Sequence, residues 1–390
     1  MVQLLDFTVV EKVHEGPMST VLRGYRDRDG LPVVFKLPRA LPLDLTEVQR
    51  LRHEASVLAQ LKDVEGVAHS LGLHTSIEGH PVLIIEAVPG QRLFDLISRA
   101  GNKELGHVAG LSVAEVLQIG IALADVLADV HTHHIVHKDI KPHNIILESV
   151  DERAGAKLRI IDFGISALLR QEVPDVLDPE ATQEGTPDYL PPEQTGRISR
   201  VIDYRSDYYA LGATLYHLLT GQVLFPNEGP LQVLVAHIGR RPVPPIDRRP
   251  PGGRQPAVPL MVSNLIMKLL AKAAEDRYQS AKGLLADLRH CLEEYLERGE
   301  IAPFALGKSD RAQMLRPPQR LYGRERESQV LWTAWDHVQR GGVELVLITG
   351  PGGVGKSALV QELLWELPAV GGRFAASKFD QLGANAPYEG

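Results

Sequence analysis

Cysteine is nearly absent: Cys291 is the single thiol in 390 residues. One thiol builds neither a disulfide framework nor a thiolate zinc site within a chain, so the composition fits a reducing cytoplasm. A basic excess is also missing. Lys and Arg number 42 against 49 Asp and Glu, a formal charge of -7, with both signs mixed along the chain. No positive stripe is present to follow a phosphate backbone, which argues against nucleic acid as a partner. No apolar run reaches the roughly 20 residues of a membrane-spanning helix. Met1-Val2-Gln3-Leu4-Leu5-Asp6 has no basic segment ahead of its apolar residues, so neither a leader nor a membrane segment is expected. Nor is there a regular internal repeat.

What is present divides in two, as the length suggests. Short β-rich runs at 7–10, 33–35 and 81–85, with one helical stretch over 46–61, predict a small sheet carrying one helix. From Ser112 the character becomes helical. Ser112 and Glu115 form a capping-box pattern, and Val113, Val116, Leu123, Val126, Leu127 and Val130 recur at helical spacing. Further helices are expected over 208–219, with Gly221 as C-cap, over 262–273 and over 281–298. Residues 240–259, crowded with Pro, Arg and Gly, read as irregular surface, and 300–320 as a linker. A new unit then begins, with a helix over 332–338, a buried strand at Leu345-Val346-Leu347-Ile348 and a helix over 356–364.

The chemistry concentrates in two segments, His137-Lys138-Asp139-Ile140-Lys141-Pro142-His143-Asn144 and Ile160-Ile161-Asp162-Phe163-Gly164. The second is an apolar run ending in a carboxylate, which suits a metal ligand at the edge of a dry site. Upstream, Val33-Val34-Phe35-Lys36 is a strand ending in Lys, and Glu54 lies on the helix that follows. Downstream come Gly185-Thr186-Pro187-Asp188-Tyr189-Leu190-Pro191-Pro192-Glu193, then Asp207 and Arg277. Any one of these alone is an ordinary surface or core residue; their order and spacing exceed coincidence.

Together they resemble the protein kinases. The resemblance implies an α+β, bilobal fold over 1–299, with a small lobe of about 1–87 and a large lobe of about 88–299. It implies transfer of the ATP γ-phosphoryl to a protein hydroxyl, with ATP and Mg2+ bound and a protein as substrate. Asp139 would orient the hydroxyl and accept its proton, and Asn144 and Asp162 would bind Mg2+. Lys36 would touch the α- and β-phosphates and be aimed by Glu54. Gly16, Ser19, Val21, Glu86 and Val88 would line the ATP site. Lys141 is the choice of serine/threonine-directed members. His137, Thr186, Glu193, Asp207 and Arg277 would support the fold. His131, His133, His134 and His137 offer two weak metal-ligand pairs, but no carboxylate or thiolate completes a set, so they read as the end of a helix and a turn.

Two departures matter. His14-Glu15-Gly16-Pro17-Met18-Ser19-Thr20-Val21 keeps only the central glycine of the usual phosphate-covering loop, which predicts weakened ATP binding. Lys138 stands where many regulated kinases carry Arg, and a lysine does not fork around a phosphate. Control through phosphorylation of Ser166, Thr182 or Thr186 is therefore not expected. A nucleotide-binding scaffold derived from a kinase is the alternative these departures keep open.

Gly350-Pro351-Gly352-Gly353-Val354-Gly355-Lys356-Ser357 matches the phosphate-binding loop, with Gly350, Gly355, Lys356 and Ser357 as a second nucleotide site. With Leu321-Tyr322-Gly323-Arg324-Glu325-Arg326-Glu327, it resembles the start of the ATPase module of large bacterial signalling proteins. In those, a kinase domain precedes the ATPase, and sensor and histidine kinase modules often follow. The span 321–390 is too short to finish a parallel nucleotide-binding sheet. Asp380 lies too early for the acidic residue of a later strand, so binding without unaided hydrolysis is expected.

Overall fold

In the computed structural model the described residues are 4–16, 19–39, 44–100, 111–151, 155–168, 186–195, 200–248, 258–312 and 323–367. Among them no helix is long and apolar enough to cross a membrane. Strands β1 (Phe7–Glu15), β2 (Ser19–Arg26) and β3 (Pro32–Pro38) precede helix α1 (Leu45–Gln60) and strands β4 (Ser70–Thr75) and β5 (Pro81–Glu86). They form an antiparallel five-stranded sheet in the order β1-β2-β3-β5-β4. The two-residue period of β3 sends Val33, Phe35 and Leu37 into a buried cluster with Val82 and Ile84. Lys36 therefore takes the opposite face. It lies between Val21 of β2 and Leu83 of β5, where ladders on both sides fix the strand.

Helix α1 begins where the Asp44 side chain accepts from the Thr46 amide, and it buries Leu51, Glu54, Val57 and Leu58. After β5 come β6 (Gln91–Arg92), α2 (Leu93–Ala100) and α3 (Val113–Thr132). The capping box forms as the sequence predicts, with both Ser112 and Glu115 bonding the other's backbone amide. Strands β7 (Ile135–Val136), β8 (Ile145–Asp151), β9 (Gly155–Ile160) and β10 (Ala167–Leu168) follow. They make a β6-β8-β9 sheet and a β7-β10 pair.

Helix α4 (Tyr204–Thr220) is the spine of the large lobe, buried from Arg205 to Thr220. It starts four residues before the expected 208, because Asp203 caps the Arg205 amide. It ends at Gly221, whose φ of 69° supplies the left-handed turn that stops the helix. Helices α5 (Pro230–Gly239), α6 (Leu260–Leu269) and α7 (Ala281–Arg298) complete this lobe. The described residues thus have the α+β, two-lobed architecture expected from the sequence, an antiparallel sheet with one helix beside a helical lobe.

Two stretches differ from their expected form. Residues 301–310, read as linker, lie on the large lobe. Ile301, Phe304 and Leu306 pack on its core, and Asp310 accepts from the Gln279 amide and the Ser280 hydroxyl. The buried strand at 345–348 is not formed: Leu345 and Leu347 are 95% and 84% exposed. A strand needs a neighbouring ladder for its amides and carbonyls, and no described residue supplies one. The flanking helices α8 (Glu325–Gln339) and α9 (Lys356–Glu366) do form.

Arg277 holds the base of the large lobe. It is 1% exposed and binds Glu193 through both terminal nitrogens, at 2.6 and 2.8 Å. Arg277→Met leaves the Glu193 carboxylate buried without its cation. It should lower unfolding free energy by about 3–5 kcal/mol in urea titrations. The double variant with Glu193→Gln should lose less than the two single losses added together.

Candidate active site

The catalytic-loop segment is shaped from below by one carboxylate. Asp207, wholly buried in the first turn of α4, accepts from the His137 and Lys138 amides, each at 2.9 Å, and meets His131 Nε2 at 2.8 Å. Lys138 adopts φ 68°, a left-handed conformation unusual for a residue with a Cβ. The bonds to Asp207 do not act alone: Gln194 Nε2 also donates to the Lys138 carbonyl at 3.0 Å.

His137 is fully buried, and burial pushes its pKa down against the pull of Asp207 and Asp139. Its Nδ1 accepts from the Asp139 amide at 3.2 Å, which puts the proton on Nε2, facing the Ile161 carbonyl at 3.3 Å. The ring also packs edge-on against Phe163 at 4.5 Å. One histidine therefore spans both motif segments. Asp139 Oδ2 accepts from Lys141 Nζ at 2.6 Å and Asn144 Nδ2 at 2.8 Å, and Lys141 also donates to Thr186 Oγ1 at 2.8 Å.

Across the cleft, Lys36 Nζ donates to Glu54 Oε2 and to Asp162 Oδ1, both at 2.7 Å. Burial opposes the Lys36 charge, but the two carboxylates outweigh it and raise its pKa. Glu54 is 1% exposed, and burial raises its pKa against the pull of Lys36. Asp162 goes the other way. Burial opposes its charge, yet Lys36 and the Gly164 amide bring its pKa down to about 2. Asp162 has φ 68°, a second left-handed residue in the same site. The Glu54 Oε1 bond to the Phe163 amide, at 3.3 Å, ties α1 to the segment after β9.

Among the described residues, both bonds to Asp162 fall on Oδ1, and Asn144 uses only its Nδ2. Asp162 Oδ2 and Asn144 Oδ1 remain as hard oxygen donors. That is the donor type Mg2+ takes when phosphates and water supply its other ligands, so the residues fit the ion. Val21 pairs with Lys36 in the sheet, while Glu86 ends β5 with its amide bonded to His69. Glu86 and Val88 are half-buried. Gly16 closes a turn by donating to the Ser19 carbonyl at 2.9 Å. Pro17, Met18, Thr182 and Gly185 lie outside the described residues, as do Leu321, Tyr322 and Asp380.

Sequence reasoning missed two contacts. His53 Nε2 lies 2.7 Å from the Ser166 carbonyl, and Ser166 is buried and donates to Phe163, so its hydroxyl is spent inside the fold. Gln194 is the other. The only signal available was adjacency, His53 beside Glu54 and Gln194 beside Glu193.

In the second unit, Gly350, Gly353 and Gly355 have φ of 154°, 80° and 92°, and the loop runs into the N-terminus of α9. Lys356 Nζ folds over it, donating to the Gly350 and Pro351 carbonyls at 2.9 and 2.8 Å. Ser357 is exposed beside it.

The family model described as protein kinase domain matches residues 7–287, and the one described as AAA ATPase domain matches 320–390. Among similar proteins, the serine/threonine-protein kinase pkn3 of Myxococcus xanthus is 30% identical over 304 residues, 76% of this chain and 52% of the relative. Serine/threonine-protein kinase Pkn1 of the same organism is 32% identical over 314 residues, 76% of this chain and 42% of that one. PknB of Mycolicibacterium smegmatis is 30% identical over 319 residues, 81% and 46%. The chain spans about half the length of the curated relatives it matches.

The Lys36 pair makes a pH-dependent prediction. In Lys36→Met, Glu54 stays buried without a cation, so its folded pKa rises further above the unfolded value. A raised carboxyl pKa stabilises the fold below the unfolded pKa, and that stability is lost as pH rises through the folded pKa. The deficit of the variant against the parent, read from urea midpoints, should therefore be larger at about pH 8 than at about pH 5.

Proposed function

We propose that this chain, which belongs to the protein kinase family, transfers the γ-phosphoryl of ATP to serine or threonine hydroxyls of proteins. The observation that carries this reading is that Lys36, Glu54 and Asp162 meet in one ion-paired cluster while Asp139 is held by Lys141 and Asn144. Phosphoryl transfer asks mainly for positioning and charge, which is what such an arrangement provides.

In this reading Lys36 holds the α- and β-phosphates, aimed by Glu54. Gly16, Ser19, Val21, Glu86 and Val88 line the nucleotide. Asp162 and Asn144 would hold Mg2+, which would supply charge neutralisation on the phosphates. Asp139 orients the protein hydroxyl and takes its proton. The hydroxyl oxygen bonds to the γ-phosphorus as the bond from that phosphorus to the bridging oxygen of ADP breaks. Lys141, which spans Asp139 and Thr186, is placed to neutralise charge on the group in flight, and it is the feature that favours serine/threonine acceptors.

A kinase unit that includes 301–310, followed by a P-loop unit over 321–390, fits a multidomain signalling protein. A relative titled hybrid signal transduction histidine kinase G, from Dictyostelium discoideum, is 32% identical over 220 residues, 51% of this chain and 6% of its own length. We read sensor or histidine kinase modules as further partners on that ground. The P-loop unit is read as binding a second nucleotide through Gly350, Gly355, Lys356 and Ser357. Buried Cys291, its thiol pKa pushed up to about 12 by burial, is inert and suits a reducing cytoplasm.

Incubation with γ-labelled ATP and Mg2+ tests the reading. Asp139→Asn should cut label transfer to protein by at least about a hundredfold, with nucleotide binding retained. Transfer that survives this change, or nucleotide binding with no transfer by the parent chain, would favour the scaffold reading instead. Lys356→Ala should leave transfer unchanged and weaken binding of a second nucleotide in equilibrium dialysis.

A further inference from the structure

Past the last helix of the large lobe the chain doubles back. From Gly299, the C-cap of α7, it returns along that helix toward its start, and carboxylates mark the route. The Ala302 amide donates to Glu294 at 2.8 Å and the Gly307 amide to Asp287 at 2.7 Å, while Phe304 packs edge-on against His290 at 4.5 Å. Asp287 is buried and also accepts from Tyr278 Oη at 2.6 Å. At the end of this strap Asp310 accepts from the Gln279 amide and from Ser280 Oγ, each at 2.7 Å. The N-terminus of α7 favours a carboxylate there. A Cβ on Gly283 would meet Asp310 Cβ and Cα at 2.5 and 2.6 Å, so this glycine is what lets the strap close onto the first turn.

Gln279 is a junction. Its Oε1 accepts from Arg205 Nη1 at 2.8 Å, and its carbonyl accepts from Tyr204 Oη at 2.9 Å. Its Nε2 donates to the carbonyls of Ala274, Glu275 and Arg277 at 2.9, 3.1 and 2.8 Å. Arg205 also pairs with Asp203, the cap of α4, and its carbonyl accepts from Arg277, the residue that holds Glu193. Two residues after Arg205, Asp207 carries the amides of His137 and Lys138. These contacts are polar and lie inside the lobe, so slack at Gln279 is passed to the start of α4 and to Glu193 rather than taken up by water.

We propose that Asp310 is a positioning residue for phosphoryl transfer: by fixing Gln279 it holds the start of α4, and with it the loop that carries Asp139. This rests on the kinase reading. Its contribution is to the aim of Asp139 and not to the binding of nucleotide, which Lys36 and the small lobe supply.

The test uses the whole chain. In Asp310→Ala, kcat for transfer to a serine peptide should fall about tenfold with KM for ATP unchanged. Nucleotide bound per chain should match the parent, which separates misaimed molecules from unfolded ones. Gly283→Ala removes no hydrogen-bonding group and installs a better helix former, yet it should lose a similar factor because it pushes Asp310 away. The double variant should be no slower than the slower single one. Full kcat in Asp310→Ala, or a loss that merely tracks a loss of nucleotide-binding chains, overturns the proposal. Amide hydrogen exchange reads the same coupling without transfer. The His137 and Lys138 amides should exchange about tenfold faster in Asp310→Ala, and faster exchange confined to 279–283 and 301–310 sinks the idea. If the parent chain transfers nothing, the kinase reading falls, and exchange at His137 and Lys138 still decides whether Asp310 holds that loop.

Discussion

A carboxylate taken out of water must find donors, and Asp207 finds them in the backbone of the loop it supports. Its two oxygens hold the amides of His137 and Lys138, with His131 closing on the same group. Because Asp207 sits on α4, the most deeply buried helix, the loop inherits the rigidity of the core. The left-handed Lys138 backbone, worth about 1–3 kcal/mol of strain, persists because these bonds over-determine it. Asp139 then points where the loop dictates, and Lys141 and Asn144 are arranged around it.

The second support is electrostatic and crosses the lobes. Lys36 shares its charge between Glu54 on α1 and Asp162 after β9, so the sheet, the helix and the segment after β9 are joined at one nitrogen. His137 completes the link by bonding Asp139 on one side and Ile161 on the other. Moving α1 outward would leave Glu54 and Lys36 buried apart, which is unfavourable for both. The site is thus held by a few buried polar groups, each satisfied by a partner from a distant part of the chain.

Much of this was legible beforehand. The capping box at Ser112 and Glu115, the Gly221 cap and the span of α7 follow from local chemistry and form as read. The motif segments and the strand upstream singled out Lys36, Asp139, Asn144 and Asp162, and the fold bonds Lys36 to Asp162 and Asn144 to Asp139. The strand at 345–348 was misread because apolar character alone does not supply a ladder. The linker reading of 301–310 failed to anticipate Asp310, whose value depends on a helix N-terminus reached only in three dimensions.

What the sequence determined by itself is the kind of chemistry: two motif segments with the composition of phosphoryl transfer, and the lysine and glutamate upstream in the order that chemistry uses. Those are matters of residue type and spacing, which the chain carries openly. Tertiary structure alone decided the rest. It gave Lys36 two carboxylates rather than one, spent the Ser166 hydroxyl inside the fold, and stacked the His143 ring on Phe94. Each of these depends on which distant groups end up within about 3 Å of one another in a space without water, where an unanswered charge is costly.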